Sequence, residues 1–116
     1  MKFMLLVCWG TDEMDAQTEP DPTERVEPES FPWLDDVQAQ GKWVTGDQLA
    51  PPRRAKSVRV RDGRTMVTDG PFAETKEAVG GFDIIECDSL EEAVEIASGH
   101  PAARIGTIEV RPLWGN

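Results

Sequence analysis

KFMLLVCW, residues 2–9, decides the fold. Phe3, Leu5, Val7 and Trp9 hold one set of alternate positions, and Met4, Leu6 and Cys8 hold the other. A strand with one wet face alternates with polar residues; this one is apolar on both faces. It belongs in the middle of a sheet, with something packed above it and below it.

Working outward, residues 11–30 carry prolines at 20, 22 and 28 and few apolar side chains, and read as a long acidic loop. Ser30 is placed to cap a helix with Phe31 and Pro32 in its first turn, Phe31, Leu34 and Val37 on its inner face and Gly41 at its end. Lys42 to Asp47 is a short strand, and Pro51-Pro52 a connection. Ser57–Arg61 and Thr65–Asp69 flank Asp62-Gly63, a hairpin signal. Val79–Cys87 is a further strand. Ser89-Leu90-Glu91-Glu92 is a capping box opening a helix whose inner stripe is Leu90, Ala93, Val94 and Ala97, with Gly99 and Pro101 stopping it. Thr107–Trp114 is the last strand, Ile108 and Val110 on one face and Glu109 and Arg111 on the other.

Two strand–helix–strand halves with an inserted β-hairpin make an α+β ferredoxin-like plait of one domain over residues 1–116, its first strand central. Both helices cover one sheet face, yet the first strand is apolar on two. A second copy of the same sheet is the simplest cover, so a homodimer pairing sheet to sheet is expected. Cys8 and Cys87 then lie at opposite ends of the sheet, as free, structural thiols.

Composition narrows the function. The chain has 116 residues, 39 % hydrophobic, in the range of an ordinary globular domain. The seven-residue apolar run from Phe3 to Trp9 is far short of the ~20 that span a membrane, and no cleavage site follows it, so a cytoplasmic protein is expected. A net charge of −10 argues against nucleic acid as a partner. The charge is segregated: ten acids and one base lie between Thr11 and Asp36, six bases and one acid between Arg53 and Arg64. These are either solvated surfaces or a basic segment meeting an acidic protein or a neighbouring subunit.

Asp69-Gly70-Pro71-Phe72-Ala73-Glu74-Thr75-Lys76-Glu77 (DGPFAETKE), followed by Gly80-Gly81-Phe82, closely resembles the signature of the DGPF subgroup of YCII-related proteins. The likeness extends to KFMLLV, to Ser89-Leu90-Glu91-Glu92-Ala93, to His100-Pro101-Ala102-Ala103, and to Gly106 with Ile108-Glu109-Val110-Arg111-Pro112. It covers nearly the whole chain apart from the acidic loop. The resemblance implies a dimeric α+β barrel of two ferredoxin-like subunits, and a small enzyme or ligand binder. Some members are proposed to use a histidine–aspartate pair with the histidine near the first helix; here the one histidine, His100, follows the second helix, so that pair does not carry over. Some DGPF relatives are associated with extracytoplasmic-function sigma factors.

The residues themselves nominate a site. Glycine tolerates the torsions of a sharp reversal at Asp69-Gly70-Pro71-Phe72, with Asp69 accepting backbone N–H groups and Phe72 anchoring the loop; the alternatives are a rigid corner and a pocket rim. Asp69, His100 and Glu109 are the candidate catalytic groups, and Glu74, Lys76, Arg111, Phe72 and Trp9 the candidate ligand contacts. For Glu109 and Arg111 the plainer reading is an interface ion pair, and for His100 a cap complementing the helix C-terminus. No phosphate-cradling loop, nucleophile elbow or metal-ligand spacing occurs, so neither cofactor nor metal is expected. These residues suit a lyase, isomerase or hydrolase acting on a small polar metabolite; the alternative is a non-catalytic regulatory module contacting a sigma factor.

Overall fold

A computed structural model describes residues 1–10, 31–70 and 77–116. Six strands and two helices follow in the order β1 (Lys2–Gly10), α1 (Pro32–Ala39), β2 (Trp43–Gln48), β3 (Lys56–Arg61), β4 (Arg64–Asp69), β5 (Glu77–Glu86), α2 (Leu90–Ser98) and β6 (Thr107–Pro112). Short 3-10 turns at Pro52–Arg54 and Pro101–Arg104 complete the elements of the described residues. The expected acidic loop falls outside the described residues.

Four strands form one sheet in the order β2-β5-β1-β6, every neighbouring pair antiparallel, and β3-β4 form a separate ribbon. This is the ferredoxin-like plait, with β1 in the interior and the ribbon inserted between the halves. Phe3, Leu5 and Val7 point into the helix layer, and Phe3 and Leu5 are fully buried with Ile85 of β5. Trp33 and Val37 of α1 and Ala93 and Ala97 of α2 meet them in one core. Both helices therefore lie on the same side of the sheet.

The helices differ from expectation in detail. Phe31, with no side-chain cap, precedes α1, and Pro32 occupies its first position, where the missing N–H costs little. Trp33 and Val37 take the innermost positions, while Phe31 and Leu34 pack from the flank. In α2 the expected box forms: the Ser89 hydroxyl accepts from the Glu92 N–H, and the Glu92 carboxylate accepts from the Asp88 N–H. Its inner stripe is narrower than the sequence suggests. Ala93 and Ala97 bring the helix close to the sheet, Ile96 packs from one flank, and Leu90 and Val94 turn outward, 42 % and 52 % exposed. Cys87 donates its N–H to the Met1 carbonyl while Cys8 stands opposite Val79, so the two free thiols sit at opposite ends of the sheet. No helix among the described residues is long and apolar enough to cross a membrane.

Candidate functional site

Directly opposed residues of an antiparallel pair share a face. Met4, Leu6 and Cys8 stand opposite Ile84, Phe82 and Val79 of β5 and opposite Arg111, Glu109 and Thr107 of β6. Thr45 and Asp47 of β2 oppose Ile84 and Phe82 on the other edge. The face turned away from the helices is thus an apolar floor with polar side chains along both margins. Arg111 Nη2 donates to Glu109 Oε2, and the two side chains are 67 % and 48 % exposed. Such a pair contributes at most about 1 kcal/mol, so a ligand or an opposing surface can exchange partners with it cheaply. Beside it the Cys8 thiol is pushed up by burial, then by the Glu77 and Glu109 carboxylates, which keeps it protonated rather than nucleophilic.

Asp69 ends β4 out on the ribbon. Its carboxylate accepts a hydrogen bond from Lys56 Nζ across the strand pair, which holds its pKa below the usual range; the backbone N–H groups it is expected to brace beyond Gly70 lie outside the described residues. Gly70 takes a φ of +84°, the left-handed region its lack of a side chain opens, and its N–H meets the Ala55 carbonyl at 2.7 Å. The Ser57 hydroxyl donates to the Gly70 carbonyl at 2.8 Å. Gly70 is therefore tied to the root of the ribbon. Phe72, Glu74 and Lys76 lie outside the described residues.

His100 is 8 % exposed and sits on the helix side of the sheet. Its ring meets Trp33 edge-on at 4.7 Å between centroids and Phe31 at 5.1 Å. Nδ1 accepts the Ala102 N–H at 3.0 Å, and burial lowers the pKa. The histidine is thus a neutral cap on the turn that follows it, not a cation at the end of the helix before it. Trp9 continues the inward phase of β1; its indole N–H is buried with no partner among the described residues. A side chain at Gly80 would come within 2.6 Å of the indole, so glycine leaves the room it needs. The structure joins Glu109 to Arg111, gives Asp69 to Lys56, and sets His100 and Trp9 across the sheet from Glu109.

Asp83 is a titratable group the sequence reading passes over. It faces the helix layer opposite Leu5, and Trp43 Nε1 donates to its Oδ1 at 2.9 Å. Burial raises its pKa, and the indole hydrogen bond opposes that rise in part. The available signal is phase: Asp83 is two residues from Ile85, at a position where a covered strand should be apolar.

A model of the YCII-related domain matches residues 4–115. An uncharacterised protein of Rhizobium meliloti (strain 1021) is 35 % identical over 119 residues, spanning 93 % of this chain and 89 % of its own length.

Proposed function

The chain belongs to the YCII-related domain family, and from that premise we propose that it is a small-molecule-binding protein of the DGPF type, working as a homodimer with a small polar metabolite held between facing sheets. The observation that carries the reading is the face turned away from the helices, open among the described residues: an apolar floor of half-buried Met4, Leu6, Phe82 and Ile84 with the Glu109–Arg111 pair planted at its margin. A mostly apolar surface with a few convergent polar groups has the make-up of a ligand site, and doubling it across a two-fold axis encloses it. Arg111 supplies the cation for an anionic group, and Glu109, released from Arg111, the base. A lyase, isomerase or hydrolase step would fall to Glu109, since Asp69 stands on the separate β3–β4 ribbon and His100 is on the opposite side of the sheet. Two free cysteines accord with a reducing cytoplasm.

A thermal-shift screen of small anionic and neutral metabolites tests this. Binders should raise the melting temperature of the wild type and lose the effect in Arg111→Ala and Glu109→Ala. A shift that survives both substitutions would remove this face as the site. A second reading, a regulatory module contacting an acidic protein such as an extracytoplasmic-function sigma factor, draws on the basic character of residues 53–64; a pull-down yield unchanged by reversing Arg53, Arg54 and Arg59 would reject it.

A further inference from the structure

Among the described residues the β3–β4 ribbon contributes nothing to the core cluster, and its build calls for an explanation. Eleven of its twelve strand residues are exposed, all but Ser57. Asp62 and Gly63, at φ +51° and +72°, turn the chain in the tight conformation that matches strand twist. Register divides the ribbon into two faces. Val58 opposes Val67 and Val60 opposes Thr65 on one; Arg59 opposes Met66 and Arg61 opposes Arg64 on the other. The three valines are 58–62 % exposed. A two-stranded ribbon is marginal in water without something packed on it, and like charges directly opposed, as at Arg61 and Arg64, weaken it further.

We propose that this ribbon is an arm that docks on the body of a second copy of this chain, its face of Arg59, Arg61, Arg64 and Met66 laid against that body with the arginines on carboxylates there. Charge complementarity selects the occupant. Residues 53–64 hold six of the chain's twelve bases and one of its twenty-two acids, a net of +5, so the remainder carries −15. The described residues outside that segment hold twelve acids and four bases, a net of −8, so a second copy presents an acidic body to each arm, and two-fold symmetry repeats the contact. The inference deepens the homodimer reading by adding a contact to the facing sheets, yet the two contacts use different residues and are separable.

Sedimentation of the full chain tests it in 50 and 500 mM NaCl, with the triple variant Arg59→Glu, Arg61→Glu, Arg64→Glu, and with Leu6→Asp on the open face. Circular dichroism checks that each variant keeps its fold. The wild-type dimer should weaken at least tenfold at the higher salt; the triple variant should weaken at least tenfold at low salt and lose most of that salt response. A triple variant that dimerises as tightly as wild type, with the same salt response, overturns the arm; if Leu6→Asp is monomeric in that same experiment, the sheet contact stands alone. Loss of dimer in the triple variant with none in Leu6→Asp supports the arm and rejects the sheet contact. An arm that leaves self-association untouched but binds poly-glutamate in a salt-sensitive way belongs to an acidic protein partner, and overturns the proposal as well.

Discussion

His100 shows how much one side chain's role depends on its surroundings. Its place after a helix suggests a cation facing the helix dipole, but burial against Phe31 and Trp33 makes the charge costly and leaves a neutral ring capping Ala102. The unfolded imidazole takes its proton near pH 6.5, the folded one only at lower pH. Between those values the unfolded chain binds the extra proton, so stability is intact above about pH 6.5 and falls as the pH drops toward the folded value. His100→Asn keeps an acceptor two residues before the Ala102 N–H and cannot titrate. Urea unfolding at pH 7 and pH 5 should show a smaller loss in the variant than in the wild type. Equal losses would mean that the folded imidazole takes its proton as readily as the unfolded one, contrary to this account.

At the scale of the strand, β1 carries two unequal faces. Leu5 is fully buried among Phe3, Ile85 and the helices, so Leu5→Ala should cost about 2–5 kcal/mol in chemical unfolding. Leu6, half-buried on the open face, should cost a lone protomer on the order of 1 kcal/mol as Leu6→Ala and weaken self-association more than it weakens folding. Losses of equal size at micromolar and nanomolar protein would show that Leu6 is covered from within its own chain. The plait was legible because alternation in KFMLLVCW, the Asp62-Gly63 turn and the Ser89–Glu92 box each act locally and agree. Which residues of α2 face inward was less legible, since Ala93 and Ala97 allow a closer helix than Leu90 and Val94 would, and spacing alone does not report that distance. The candidate site was legible only in part. Alternation placed Glu109 and Arg111 on one face, but it says nothing of Lys56 reaching Asp69 across a ribbon, nor of Trp43 reaching Asp83 across the sheet.

For the molecule as a whole the question is whether the protomer is the folding unit. Among the described residues its core is thin: ten hydrophobic residues are buried, only Phe3, Leu5 and Ile85 among them large and fully enclosed, while apolar side chains line the face turned from the helices and the ribbon. A small domain that buries so little gains stability by associating. If two sheets close on each other, unfolding and dissociation are linked, and the melting temperature should climb steadily as protein concentration rises from about 1 to 100 µM. A protomer that covers its own face unfolds in a single-molecule reaction, with a midpoint independent of concentration. Calorimetry over that range separates the two. The wild type should show the dependence, Leu6→Asp should melt lower and without it, and a wild-type midpoint that stays fixed would mean that the open face is closed within one chain.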